Sequence, residues 1–193
     1  KEAALRGNSV YLVDRVIPML PEHLSNGVCS LRPDEDKFTF SAVFELTNSG
    51  KIVNEWFGKT VIRSARRFSY EEAQLVIETK KGDHAKEIII IDEIAKKLRK
   101  ERLENGALEV QSTEIRFELN EEGFPIQVVK KITKDSNKLI EEFMLLANKR
   151  VGTFIGDTKR KTSVPYIYRV HDKPDLAKAV SYTHLTLPTN REV

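Results

Sequence analysis

The sequence predicts an α+β fold in which antiparallel β-hairpins pack against helices. Two segments alternate apolar and polar residues, run into a short turn and return, which is the pattern of a two-stranded antiparallel hairpin. Three other segments carry apolar residues at helical spacing, and one of them begins with a capping box. These hairpins and helices together define the predicted fold class.

The first element is a short apolar segment, residues 9–13, which predicts a buried strand. Pro18 and Pro21 follow it and end regular structure, because proline has a fixed φ and no amide donor. We therefore predict a tight loop over residues 18–30.

The first hairpin is predicted over residues 38–46 and 52–62, with its turn at residues 48–50. Period-2 alternation predicts that the first strand, residues 38–46, has one buried face. The members of that face are Phe38, Phe40, Ala42, Phe44 and Leu46.

The second hairpin repeats this logic around a turn at residues 121–123. Apolar residues alternate with polar ones along most of both sides of the turn, as in a strand with one covered face. The alternating residues are Ile115, Phe117, Leu119, Phe124, Ile126 and Val128.

Three helices are predicted in the remaining chain. Ser69 and Glu72 have the spacing of a capping box, which places Tyr70 in the first turn of the first helix. The second helix covers residues 88–103, with an apolar face opposite lysines and arginines. The third begins near residue 135 and carries an apolar stripe.

Length and composition indicate one soluble globular domain. The chain has 193 residues, of which 40% are hydrophobic and 32% charged. No apolar run is long enough to cross a bilayer, so we expect no membrane partner. Cys29 is the single cysteine, which excludes an internal disulfide and suits a reducing compartment, so we expect a cytoplasmic protein. The net charge of +3 permits a polyanionic partner without requiring one.

The two chain ends predict that the sequence is a piece of a longer protein. The start has neither an initiator methionine nor an apolar signal core, so we expect the natural N-terminus upstream. Residues 180–190 contain no charged side chain, and residues 180–189 read like the in-frame translation of a sequencing adapter. We expect residues 180–193 to be non-native and residues 1–179 to be the native part. The alternative is a genuine strand and loop.

A basic and aromatic cluster at the start of the first helix is a candidate RNA-binding site. Arg63, Arg66 and Arg67 lead into a helix N-terminus that presents Phe68 and Tyr70. Arginines can contact phosphates, free first-turn amides attract an anion, and a tyrosine ring offers a surface for base stacking. The alternative is that the tyrosine packs on the sheet and the arginines are solvated.

A second candidate site lies on the third helix, which Asp135 or Ser136 caps. Glu141 and Asn148 share a stripe beside the apolar face. A carboxylate that accepts a hydrogen bond from a 2′-hydroxyl distinguishes RNA from DNA. The alternative is an exposed helix glutamate without a ligand.

The sequence has no metal-ligand spacing, nucleophile elbow or phosphate-binding glycine loop. The acidic residues 34–36 could attract magnesium, but a run between a proline and a strand is more often a solvated turn. His23, His84 and His171 are scattered and read as ordinary hydrogen-bonding side chains. We predict no metal site and no catalytic residue in this chain.

An ordered series of segments resembles the ribonuclease II/ribonuclease R family of exoribonucleases, on its ribonuclease R branch. The similarity covers nearly all of residues 1–179. The matching segments are residues 6–21, 24–31, 61–64, 68–73, 139–148 and 168–174.

The resemblance implies a processive 3′-to-5′ exoribonuclease that threads single-stranded RNA into a channel and releases nucleoside 5′-monophosphates. It implies Mg²⁺ held by an aspartate cluster upstream of this chain, and an arginine and an RNA-binding domain downstream. The chain would then be the middle of the catalytic RNB domain of a monomeric enzyme, without bound metal of its own. The alternative is a catalytically inactive relative that serves as an RNA-binding or regulatory protein.

The resemblance also suggests roles for individual residues. Tyr70 matches a tyrosine that contacts the terminal nucleotides, and Glu141 matches a glutamate that reads the ribose. Val110 falls near a position where relatives carry a base-stacking phenylalanine, which places that contact in doubt here. The predicted RNA-binding residues are therefore Tyr70, Glu141, Arg63, Arg67 and Asn148.

Overall fold

The computed structural model of this chain describes residues 1–107, 114–156 and 165–167. The chain divides into two compact units, Lys1–Thr153 and Phe154–Val193. Most of the second unit lies outside the described residues, including His171 and the predicted adapter segment. Val110 of the first unit also lies outside them.

The described elements are three antiparallel strand pairs and four α-helices, which confirms the predicted α+β class. Each pair forms a separate two-stranded sheet, β1 with β2, β3 with β4 and β5 with β6. A π-helical turn, His23–Val28, lies between the first two pairs. The elements are α1 Glu2–Arg6, β1 Val10–Tyr11, β2 Val16–Ile17, β3 Asp36–Leu46, β4 Ile52–Arg63, α2 Tyr70–Thr79, α3 Ala85–Glu104, β5 Glu114–Leu119, β6 Pro125–Lys131 and α4 Asp135–Gly156.

The prediction of a buried strand over residues 9–13 is wrong, because the strand found there is short and exposed. The structure has a two-residue ladder, in which Val10 pairs with Ile17 and Tyr11 pairs with Val16. All four residues are exposed, because so short a ladder gives other elements little surface to cover. The predicted loop over residues 18–30 also contains the π-helical turn.

The β3–β4 hairpin confirms the predicted strands and turn but not the full extent of the buried face. Phe44 packs edge-on against Phe57 near the turn, with ring centroids 5.9 Å apart. At the other end of the same face, Phe38 is 93% exposed and Phe40 is 83% exposed. The helices reach only the turn end of this long ribbon, so the predicted burial of these two phenylalanines is wrong.

Two polar contacts and one close approach attach the turn end of β3–β4 to the helices. Lys97 Nζ on α3 donates to the carbonyl oxygen of Asn48 at 2.6 Å. Gly50 is buried beside Leu98, at a φ of 86° that favours glycine. Arg150 on α4 donates to both carboxylate oxygens of Glu55 on β4, at 2.6 and 2.7 Å.

The described apolar core lies among α2, α3 and α4. Its buried members are Val76, Ile88, Ile94, Ala95 and Leu139. Helical periodicity identified part of the buried face of α3, where Ile94 and Ala95 are buried but Ile91 is exposed. On α4 only Leu139 of the predicted apolar stripe is buried, whereas Ile140 and Met144 are exposed and the polar Ser136 and Glu142 are buried instead.

A buried ion pair joins α3 to α4 beside this core. Arg102 donates to both oxygens of Glu142, at 3.1 and 2.5 Å, and Glu142 is only 3% exposed. The adjacent Glu141 lies 3.5 Å from the same guanidinium but is half exposed. The two neighbouring glutamates therefore contact the same arginine but differ in burial, so each can serve as a control for the other.

We predict that Glu142→Gln lowers the free energy of unfolding by about 2 kcal/mol, below the range for fully buried pairs because Arg102 is partly exposed. Glu141→Gln should change it by less than about 0.5 kcal/mol, since it is a surface substitution. Urea denaturation of both variants and the unaltered chain measures this difference. Equal losses in the two variants would contradict the importance of the buried pair.

Candidate nucleic-acid interface

A complete capping box fixes the position of Tyr70. The Glu72 amide donates to Ser69 Oγ at 3.1 Å, and the Ser69 amide donates to Glu72 Oε2 at 2.8 Å. Tyr70 is the first residue of α2, and 49% of its surface is exposed. The predicted helix start is confirmed, and a half-exposed ring at a helix N-terminus is available for base stacking.

The three arginines that precede α2 have different surroundings. Arg63 is exposed at the end of β4, with one guanidinium nitrogen 3.9 Å from Asp36. Arg67 is also exposed. Arg66 instead contacts Glu72 and Asp83, so its guanidinium faces carboxylates of this chain. Of the three, Arg63 and Arg67 are the better placed to contact an RNA phosphate.

Glu72 has an electrostatic role in this arrangement. Hydrogen bonds from the Ser69 amide and hydroxyl, followed by the nearby Arg66 charge, hold the pKa of Glu72 below its usual value. The lowered pKa favours the ionised carboxylate at the helix cap. Its negative charge interacts favourably with the positive end of the helix dipole.

Glu141 and Asn148 lie at the surface of α4. Glu141 is half exposed beside Arg102, and Asn148 is exposed two turns further along the helix. Leu145 lies between them and is 40% exposed. This stripe can present a carboxylate and an amide to a ligand, as the spacing predicts.

A hydrogen bond joins the two helices that carry Tyr70 and Glu141. The Ser136 amide at the start of α4 donates to the Gln74 side-chain oxygen at 3.0 Å, and both residues are buried. Tyr70 lies about 6 Å before Gln74 along α2, and Glu141 lies about 7.5 Å after Ser136 along α4. Both residues are therefore close to the contact between the helices. Their convergence on one ribose stays a prediction.

A groove that sequence reasoning missed is lined on one side by Glu71, the residue that follows Tyr70 in the chain. It has a volume of about 610 Å³ and separates Glu71, in the first turn of α2, from the β5–β6 hairpin. The hairpin wall includes Phe117 and Lys130, and Lys134 lies just beyond the hairpin. The two walls are far apart in sequence, so only the basic character of residues 130–134 could have indicated it.

The described residues do not form a metal site. In residues 1–107, 114–156 and 165–167, no group of three or more His, Cys, Asp or Glu side chains could hold a metal ion. In the acidic turn, Glu35 pairs with Lys37, whose hydrogen bond lowers the pKa of Glu35, and Asp36 lies beside Arg63. The described part of the chain therefore does not fit the Mg²⁺ that the resemblance implies.

Comparisons with known proteins identify the family. The RNB domain model matches residues 1–192, so the chain belongs to the RNB-domain exoribonuclease family. DIS3-like exonuclease 2 of Schizosaccharomyces pombe is 39% identical over 98% of this chain. Ribonuclease R 1 of Lactococcus lactis is 37% identical over 90% of it. The chain covers 22% of the length of each of these relatives.

Solved structures show the same fold. Mycoplasma genitalium RNase R in complex with ribose-methylated single-stranded RNA matches with a TM-score of 0.81 and 27% identity, over 93% of this chain and 28% of that chain. The family also has members without activity, since an Arabidopsis thaliana protein named inactive exonuclease DIS3L2 is 36% identical over 92% of this chain. Membership alone therefore leaves activity to be tested. The predicted division at residue 180 stays a prediction.

We predict that acid weakens the α2 cap through Glu72. Its pKa is lowered in the folded state, so its stabilising contribution is complete above the ordinary value of 4.5 and is lost as the pH falls through the lower folded-state pKa. Denaturant midpoints of the unaltered chain and Glu72→Gln should differ at about pH 6, and the difference should shrink progressively as the pH falls below 4.5. A difference that stays constant over this range would contradict the assignment.

Proposed function

We propose that this chain is the RNA-binding middle part of the catalytic domain of a processive 3′-to-5′ exoribonuclease. The intact protein would hydrolyse single-stranded RNA to nucleoside 5′-monophosphates. The match of residues 1–192 to the RNB domain carries the proposal. Further support comes from the half-exposed Tyr70 at the start of α2 and from the groove that the next residue, Glu71, lines together with the second hairpin.

In this proposal, each surface residue contacts a different part of the RNA. Tyr70 stacks on a base near the 3′ end, which contributes about 1–3 kcal/mol. Glu141 accepts a hydrogen bond from a ribose 2′-hydroxyl, with Asn148 beside it. Arg63 and Arg67 contact phosphates. A ribonuclease R with the same fold has been solved with single-stranded RNA and with double-stranded RNA, which supports an RNA strand as the ligand.

Catalysis is assigned to other parts of the intact protein. From the family resemblance, we propose that Mg²⁺ and the aspartates that bind it belong to a segment of the intact protein upstream of this one. The described residues provide no cluster for a metal. We also propose that the intact protein is a cytoplasmic monomer. Among the helices that the structure describes, none has the length and apolar character needed to cross a membrane.

The second candidate function is an inactive RNA-binding or regulatory protein with the same domain. The 36% identity to a plant relative named as inactive favours it. The upstream gene sequence separates the two candidates, because four clustered aspartates argue for an enzyme and substituted positions argue for a binding protein.

We predict that the purified 193-residue chain releases no nucleotides above background from single-stranded RNA with added Mg²⁺. The reason is that its described residues lack a carboxylate cluster for metal-dependent hydrolysis. Chromatography of the reaction products measures this. Release of mononucleotides that depends on Mg²⁺ would contradict the assignment of catalysis to other segments.

We predict that Glu141→Ala, in an enzyme that contains this segment, reduces the preference for RNA over DNA by about tenfold or more. A hydrogen bond to a charged acceptor contributes about 1.5–3 kcal/mol, and DNA lacks the donor. Tyr70→Ala should also reduce this preference, because its predicted contact is with the terminal nucleotides. Degradation rates on both substrates, together with thermal melting, measure the effect.

The matched control for this experiment is Lys100→Ala, which removes an exposed side chain from α3. It should leave the substrate preference unchanged. If Tyr70→Ala and Glu141→Ala reduced both rates equally and also lowered the melting temperature strongly, a packing role would replace the RNA-binding role.

A further inference from the structure

The segment between β4 and α2, residues 64–69, determines where the ring of Tyr70 lies. Apart from an isolated bridge between Ser64 and Pro33, this segment has no strand or helix pairing. Its position must therefore come largely from side-chain contacts and from the helix cap. Arg66 makes several of these contacts.

The Arg66 guanidinium contacts three different parts of the chain. It forms an ion pair with Asp83 in the loop between α2 and α3. It lies 3.5 Å from Glu72, the acidic member of the capping box. Its central carbon lies 4.4 Å from the ring centroid of Phe68, within the range of a cation–π contact.

Two further features hold these partners in place. The ring of Phe68 packs edge-on against His84, with centroids 6.3 Å apart. Lys80, Gly82 and His84 all have positive φ, so the α2–α3 loop turns sharply on either side of Asp83. The loop thereby presents a carboxylate to the start of the helix that it follows.

This geometry requires arginine rather than any cation. A guanidinium is a planar fork that can bond two carboxylates and stack on an aromatic ring at the same time. A lysine ammonium keeps the charge but lacks the plane and the fork. A residue that serves only as a positive charge for a phosphate would tolerate lysine better.

We propose that Arg66 is a positioning residue, which joins the α2 cap to the α2–α3 loop and so holds the Tyr70 ring ready to stack on an RNA base. Arg66 itself contacts no RNA in this proposal. The inference rests on the proposed RNA-binding role of Tyr70, because a ring held in its bound orientation loses less freedom on binding.

The test is a double-mutant cycle in the full 193-residue chain. Arg66→Gln, Tyr70→Ala and the double variant are titrated against a fluorescent single-stranded RNA of about ten nucleotides, and the dissociation constant is measured by anisotropy. We expect Tyr70→Ala to weaken binding by about fivefold or more. Arg66→Gln should weaken binding severalfold when Tyr70 is present and less than about twofold when it is absent.

Two readouts separate positioning from direct contact with phosphate. Arg66→Gln should leave the dependence of affinity on salt unchanged, whereas Arg67→Gln should reduce that slope by about 0.7 per lost phosphate contact. Arg66→Lys should not restore affinity. Lys100→Gln is the control for loss of one positive charge. If Arg66→Gln fails to fold by circular dichroism, Asp83→Asn breaks the same contact from the other side and replaces it in the cycle.

The outcomes distinguish this inference from the proposed function. If the unaltered chain binds no RNA, or Tyr70→Ala has no effect, the proposed function of Tyr70 fails and the inference fails with it. If Tyr70→Ala weakens binding but Arg66→Gln does not, only the inference fails. It also fails if Arg66→Gln has equal effects with and without Tyr70, or reduces the salt slope.

Discussion

The buried ion pair between Arg102 and Glu142 is the interaction on which the described structure most depends. It holds α4 against α3 in a place where removal of Arg102 would leave the buried charge of Glu142 without compensation. The two ends of α4 are attached by other polar contacts, from Ser136 to Gln74 at its start and from Arg150 to Glu55 near its end. One helix thereby connects α2, α3 and the long hairpin.

This arrangement explains how surface residues of a small core can keep defined positions. Tyr70 lies on α2 and Glu141 lies on α4, and a buried hydrogen bond from Ser136 to Gln74 connects these two helices. This contact helps to set the relative position of the two residues. The ion-paired Arg66 and the capping box add local order at the start of α2. The RNA-binding role proposed for Tyr70 and Glu141 needs that order, because stacking and ribose contacts both depend on orientation.

The sequence predicted the local elements well and their burial less well. The Ser69–Glu72 box and the hairpin turns were correct, because each depends on residues only a few positions apart. Phe38 and Phe40 were assigned to a buried face on alternation alone. Alternation shows which residues share a face, but another element must cover that face, and the helices reach only the turn end of the hairpin.

Short-range pattern and residue identity were enough to predict the α+β class, the place of Tyr70 at a helix start and the likeness to ribonuclease R. The contacts of Arg66 with Asp83 and Glu72, and the groove between Glu71 and the second hairpin, became visible only in the folded chain. They could not be predicted because an ion pair or a groove depends on how separate elements pack. Residue spacing within one element carries little information about that packing.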